Sequence, residues 1–235
     1  MRTRLTYTTG NSQMSSKNHR VASRDEWLAE RQTLLAHEKE LTRLRDQIAS
    51  ERRALPWVRI GKNYLFDAPE GWRTLAELFD GRSQLLVQHF MFAAGWEQGC
   101  PSCSFMADHT DGMIVHLAHR DVTLVAISHA PLADIERFRQ RMGWRFKWLS
   151  SHGSGFNYDF GVSFTPEQVA KGQLYYNHGT WPFAYEELPG VSVFYRDDVG
   201  AVFHSYSSYG RGVEVMMGTY NMLDLTEGPR REGRA

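Results

Sequence analysis

Cysteine is nearly absent from this chain: two residues, Cys100 and Cys103, in 235. A secreted domain held together by disulfides scatters its cysteines so that each bridge closes a long loop. A bridge between neighbours three apart closes almost nothing and adds little chain-entropy stabilisation. Long apolar runs are missing too. The longest, such as Leu85-Leu86-Val87 and Leu124 to Ile127, fall far short of the roughly 20 residues that span a bilayer. Charge of either sign is not in excess, with 27 basic and 27 acidic residues. That balance argues against a nucleic-acid or membrane-surface role driven by counterion release. No P-loop, no Rossmann glycine fingerprint and no Gly-x-Ser-x-Gly elbow occurs. No acidic residue occurs from Met1 to Ser23, and no apolar secretory core. We read 1–22 as a flexible polar terminus rather than a presequence, and the protein as cytoplasmic.

What is present is ordinary globular composition, 42% hydrophobic and 23% charged, in a chain long enough for one core with an appendage. The appendage is a predicted helical arm over 23–55. Ser23 and Glu26 form a capping box, and Trp27, Leu34, Leu41 and Ile48 recur every seven residues, widened by Leu28, Leu35 and Leu44. Such a stripe docks on the rest of the chain or on a second copy, giving a homodimer.

The remainder, 56–235, reads as one α/β domain. Trp57 to Phe66 is expected as an entry strand, and Thr74 as the cap of a short helix Leu75 to Phe79 that ends at Asp80-Gly81. Gln84 to Phe90 is too apolar for a half-exposed strand and is expected at the centre of a sheet. A helix from Ser104 to about His119 follows, weakened by Gly112. Then come a buried strand Val122 to Ile127, a helix opened by Pro131 and stopped by Gly143, and a strand Trp144 to Leu149. This alternation predicts a parallel sheet with right-handed crossovers. Val191 to Tyr195 and Ala201 to Tyr206, joined by Asp197-Asp198-Val199-Gly200, predict a hairpin, and Val213 to Tyr220 a closing helix. Between them, about 150–188, lies an aromatic-rich insertion with one short helix expected at Thr165-Pro166-Glu167; a segment this long is usually functional.

The chemistry is expected at Cys100-Pro101-Ser102-Cys103, after a buried strand and at the mouth of a helix. There, unpaired N–H groups and the helix dipole favour a thiolate. Cys100 would attack and Cys103 resolve the mixed disulfide. Pro101 fits the first helical turn, where its missing N–H costs nothing. Three readings fit the pair: thiol–disulfide exchange, a zinc or copper site completed by His109, His116 or His119, or an inert apolar pair. A thiol peroxidase is the weaker redox option, because Glu97 stands where peroxiredoxins keep Thr or Ser, three residues before the reactive cysteine; Arg211 would steer an anionic or peroxide substrate. Ser128-His129 and Ser151-His152 suggest a hydrolase only by adjacency.

The stretches Gly99-Cys100-Pro101-Ser102-Cys103-Ser104-Phe105, Phe156-Asn157-Tyr158-Asp159-Phe160, Pro189-Gly190-Val191-Ser192-Val193-Phe194 and Gly218-Thr219-Tyr220 resemble a bacterial family of unknown function predicted to be dithiol-disulfide oxidoreductases of thioredoxin-like fold. The resemblance implies a three-layer α/β/α sandwich with a mixed central sheet. It also implies that Pro189, just before a strand, is the cis proline that such folds keep beside their dithiol. The implied partners are a protein or small-molecule disulfide or thiol and an unidentified reductant, with no cofactor, nucleic acid or membrane. The insertion, with Tyr158 and Trp181, would cover the site. The rival from another class is a non-catalytic protein that binds a small molecule in that insertion.

Overall fold

The computed structural model describes residues 20–182 and 185–226, so the polar terminus falls almost wholly outside the described residues. The chain divides into two units, 1–51 and 52–235. The first consists, where described, of helix α1 (Arg24–Ala54), which runs a few residues into the second. Its capping box is formed: the Ser23 N–H donates to the Glu26 carboxylate at 2.8 Å, and the Glu26 N–H to Ser23 Oγ at 3.3 Å. No residue of α1 is buried, and Trp27, Leu34, Leu41 and Ile48 are all exposed.

The second unit contains β1 (Val58–Arg59), β2 (Leu65–Phe66), β3 (Arg73–Thr74), a 3-10 helix (Leu75–Phe79), β4 (Gln84–His89), α2 (Pro101–Asp111) and α3 (Ile114–Ala118). Then follow β5 (Val122–Ser128), α4 (Leu132–Met142), β6 (Lys147–Ser150), α5 (Phe156–Asp159), α6 (Pro166–Ala170), β7 (Leu174–Tyr176) and β8 (Gly179–Trp181). The end is β9 (Gly190–Arg196), β10 (Val202–Tyr209), a second 3-10 helix (Gly210–Met216) and α7 (Gly218–Leu223).

Six strands form one sheet in the order β1-β10-β9-β4-β5-β6. β4, β5 and β6 are parallel, whereas β9 runs antiparallel to β4 and β10 to β9, so the sheet is mixed as expected. Strand order steps one way from β4 to β6. Two crossovers of the same hand must therefore lie on the same face. They do: Cys103 and Ala107 of α2 and Ile135 and Phe138 of α4 share a buried cluster with Leu124, Ala126 and Trp148. The alternate residues Leu85, Val87, Val125 and Ile127 point to the other face, which is covered by Phe79 of the 3-10 helix, Phe156 of α5, and Tyr64, Phe66 and Phe160. Each such side chain contributes about 1.5–3 kcal/mol by leaving water.

Several sequence expectations are corrected. The single entry strand is two short ones: Val58–Arg59 pairs with β10, and after Gly61 to Asn63 the chain turns so that Leu65–Phe66 pairs with β3. The helix expected to run to His119 begins at Pro101 and breaks at Gly112-Met113. The strand expected from Trp144 begins at Lys147, because Trp144 and Phe146 are already inserted in the core under α4. The closing helix is a 3-10 turn followed by α7.

The described residues of the insertion form elements of their own. α6 has its own capping box between Thr165 and Gln168. β7 and β8 form a hairpin whose turn, Asn177-His178, takes positive φ at both residues, the geometry that matches strand twist. Val162, Phe164, Leu174, Tyr176, Leu188 and Tyr209 give it a separate small core.

Candidate functional site

The dithiol lies at the C-terminal edge of the parallel strands, where α/β folds place their sites. β4 and β5 end side by side, with the Phe90 N–H donating to the Ile127 carbonyl at 3.0 Å and Ser128 Oγ to the Phe90 carbonyl at 2.6 Å. The chain then turns through Met91, whose carbonyl accepts the Cys100 N–H at 3.1 Å. Gly99 packs so tightly that an added Cβ would stand 2.5 Å from Phe90 Cε1 and 3.1 Å from Phe138 Cε1. Only glycine lets the chain deliver Cys100 there. Cys100 is the N-cap of α2 and Pro101 its first residue, as the sequence indicates.

Both cysteines are free thiols, Cys100 half-buried and Cys103 buried at 2% exposure. Their environments push their acidities apart. Cys100 is lowered to about 6, chiefly by a hydrogen bond from the Cys103 thiol; burial opposes this, and the N–H groups of Cys103 and Ser102 and the Ser102 hydroxyl assist. Cys103 is raised well above the ordinary thiol value because it gives that hydrogen bond, is buried and faces the Cys100 charge. The Met91 N–H partly offsets this, and Glu187 adds to it. The Cys103 carbonyl accepts Gln88 Nε2 at 3.1 Å, fixing the first turn of α2 to β4. One sulfur thus favours its thiolate, and the other is held protonated behind it.

The remaining candidates fall elsewhere. His109 is committed to structure: Nδ1–H donates to the Phe105 carbonyl at 2.6 Å, and Nε2 accepts the Thr219 N–H at 3.1 Å, tying α2 to α7. His116 and His119 are exposed on and just after α3, and among the described residues no three metal-ligating side chains come together. The zinc or copper reading has no ligand set there. Ser128 and Ser151 spend their hydroxyls on the Phe90 and Ser128 carbonyls, so neither is a nucleophile. Glu97 is exposed, and Arg211 pairs with Glu214 at 2.8 Å. No peptide bond is cis among the described residues, which corrects the expectation for Pro189. Its bond is trans; its carbonyl accepts Tyr176 Oη–H at 2.5 Å, and Gly190 enters β9 directly opposite His89.

Two groups escaped the sequence reading. Glu187 is buried at 3% exposure, accepts Ser163 Oγ at 2.8 Å, and is pushed up to about 8 by burial. Its Oε1 lies 3.6 Å from His129 Nδ1. Burial also lowers His129, so a neutral acid sits beside a neutral imidazole rather than in an ion pair. The only sequence signal is a pair of acids, Glu186-Glu187, running straight into Leu188-Pro189 and a buried strand. The second group is a ladder on the opposite sheet face: His89 Nε2, Ser192 Oγ, Ser207 Oγ and His204 Nε2, linked at 2.7, 2.8 and 2.7 Å. His89 stacks on Phe156 and Phe160 and is pushed down to about 3, by burial first and then by His204.

A βαβ unit (β4, α2, β5), an antiparallel hairpin (β9, β10) and a closing helix, with two cysteines at the first helix N-terminus, define a thioredoxin-like protein. Residues 16–235 match the family described as "Bacterial protein of unknown function (DUF899)", and the chain belongs to that family. No curated protein matches the sequence. Among solved structures it is similar to peroxidoxin BcpB from Mycobacterium tuberculosis, at 16% identity over 72% of this chain and 97% of that one, with a TM-score of 0.45. It is also similar to peroxiredoxin Q from Xanthomonas campestris (10%, 68% and 89%, TM-score 0.46). A third is a thiol:disulfide interchange protein DsbE assigned in Chlorobium tepidum (12%, 73% and 97%, TM-score 0.44).

Proposed function

We propose that the protein is a dithiol–disulfide oxidoreductase in which Cys100 attacks and Cys103 resolves. The observation that carries this reading is the split acidity of the pair: a half-buried Cys100 lowered to about 6 next to a buried Cys103 raised far above it. At neutral pH the first sulfur is mostly thiolate, the nucleophilic form. The second is kept from premature reaction until the first is consumed in a mixed disulfide. The chemistry needs no cofactor. Its substrate would be a protein or small-molecule disulfide or thiol, and its location the cytoplasm. Among the described residues no helix is long and apolar enough to cross a membrane.

The insertion supports a restricted substrate range. Tyr158 stands edge-on to His129 at 5.2 Å, on the rim shared with Glu187. A Cys103→Ser variant treated with a disulfide substrate should accumulate a mixed disulfide on Cys100, visible as added mass. Cys100→Ser should form none. A wild-type protein that neither forms nor releases such an adduct would refute the reading.

One observation favours a second reading, a non-catalytic binding protein. The insertion holds a cleft of about 440 Å³ lined by Phe164, Gln168, Lys171, Tyr175 and His178 among others, a size suited to small ligands. If binding there is the function, the Cys100→Ser, Cys103→Ser double variant retains it.

A further inference from the structure

We propose that His204 is an acid-sensitive latch: one proton taken up at its half-buried ring breaks the directed hydrogen-bond ladder that fastens β9 and β10 to β4. The latch is independent of the dithiol chemistry and stands or falls without it.

The ladder crosses three strands. His89 closes β4, Ser192 stands on β9, and Ser207 and His204 stand on β10 around the bulge between His204 and Tyr206. Three contacts of 2.7, 2.8 and 2.7 Å join the four side chains in that order. His89, Ser192 and Ser207 are buried, whereas His204 is half-buried, so His204 is the end that water can reach.

The hydrogens available give the ladder a direction. Three links need three hydrogens. Each serine hydroxyl supplies one, and with both rings neutral the third comes from the Nε2–H of one imidazole while Nε2 of the other accepts. His89 Nδ1 is buried and has no partner among the described residues. A hydrogen there would be an orphaned buried donor, which folded proteins rarely keep, so His89 carries its hydrogen on Nε2 and donates. At the other end the Tyr206 backbone receives a hydrogen bond from the His204 ring. With Nε2 engaged by Ser207, that hydrogen sits on Nδ1, which leaves Nε2 free to accept. The order of donation is therefore His89 to Ser192 to Ser207 to His204.

Charging His204 upsets this count. Its Nε2 gains a hydrogen, and four hydrogens then meet three links. Either one rung opens, or every rung reverses and His89 must hold its hydrogen on the unpartnered Nδ1. Both routes cost a buried hydrogen bond, so the Ser207 hydroxyl aimed at His204 Nε2 favours the neutral ring. Burial, the largest influence, acts in the same direction, the Tyr206 backbone opposes it, and the charge of His178 adds to it; together they hold His204 below the ordinary 6.5. The other groups packed on His204 are the rings of Phe160 and Phe194, at 5.2 and 5.5 Å, and Val58 opposite it on β1, none of which titrates. His89 lies between Phe156 and Phe160 and feels the charge of His204. A ring that gives up its proton more readily folded than unfolded stabilises the fold fully above pH 6.5. That contribution is lost as pH falls through the lower folded value, so acid releases the latch.

The test is proton–nitrogen NMR of the imidazoles in the full-length, isotope-labelled protein, followed from mildly alkaline to mildly acid pH. At the alkaline end His89 should show its hydrogen on Nε2 and His204 on Nδ1; the reverse pair of tautomers overturns the inference. On acidification the His204 ring should charge with a midpoint below 6.5. Across that transition the protection of the Ser192, Val193 and Ser207 amides against hydrogen exchange should fall about tenfold, the size of one lost hydrogen bond. Ser207→Ala removes the hydroxyl but not the burial, and should raise the His204 midpoint by about one pH unit, with Ser207→Thr restoring the low value. An unchanged midpoint in Ser207→Ala, or protection that stays flat while His204 charges, overturns the latch. If Ser207→Ala does not fold, the wild-type tautomers and exchange profile decide the matter by themselves.

Discussion

Replacing Glu187 with glutamine should make the protein more stable at alkaline pH. The folded state holds the Glu187 proton to about 8 against an ordinary 4.5, because burial disfavours the charge. An acid whose affinity for its proton rises on folding stabilises the fold fully below about pH 4.5. That contribution is lost as pH rises through the folded value near 8. At 1.36 kcal/mol per pH unit, the displacement sets an upper limit of about 5 kcal/mol on the loss. Glutamine keeps the neutral shape and can still accept Ser163 Oγ–H, but carries no titrating proton. Its amide adds a roughly constant cost of about 1 kcal/mol if left unpaired. The assay is urea unfolding of the reduced protein from pH 5 to 9, reported as variant minus wild type. Subtracting one protein from the other removes the opposite trend from Cys100, whose lowered pKa stabilises the fold at high pH, an effect lost as pH falls through about 6. The difference should favour the variant increasingly above pH 5 and level off beyond 8. A difference that stays flat across this range would refute the claim that Glu187 is buried and neutral.

Gly99→Ala should destabilise the fold by about 1–3 kcal/mol, read as a lower urea midpoint, because the new methyl meets Phe90 Cε1 at 2.5 Å. His109→Ala breaks one hydrogen bond within α2, to the Phe105 carbonyl, and one between α2 and Thr219 of α7, and should cost about 1–2 kcal/mol in the same assay, with Cys100 still alkylated quickly. The exposed stripe of Trp27, Leu34, Leu41 and Ile48 would close on a second copy of the chain. Sedimentation equilibrium should then give a dimer that Leu34→Glu with Leu41→Glu converts to monomer, and a monomeric wild type would contradict this.

The parts of the fold that could be read from sequence were those with strong local signals. Val122 to Ile127 is a continuous β-branched and apolar run, and it forms β5 at the predicted place. Ser23 with Glu26, and Thr165 before Pro166, announce helix starts by local chemistry, and both helices begin there. Pro101 and Gly143 punctuate their helices for the same reason, stereochemistry that acts within one turn. The misplaced boundaries depend on distant partners. Trp144 looks like a strand residue, but its Nε1–H is drawn to Asp108 at 2.7 Å and its ring to Phe138 and Trp148. The site divides along the same line. Cys100 and Cys103 are adjacent in sequence and could be found there. Glu187 comes to that sheet edge only because β9 inserts beside β4, and a pair of acids in a loop-like segment carries no periodicity that would announce the burial of one of them.

The most direct test is a thiolate titration of the reduced protein by ultraviolet absorbance, with Cys100→Ser and Cys103→Ala alongside. One thiolate should appear with an inflection near pH 6 and the second only far above the ordinary thiol range. Cys100→Ser should remove the low inflection, and Cys103→Ala, which deletes the hydrogen bond that lowers it most, should move it upward. Two thiols ionising together at about 8.5, as unperturbed cysteines do, would contradict the account.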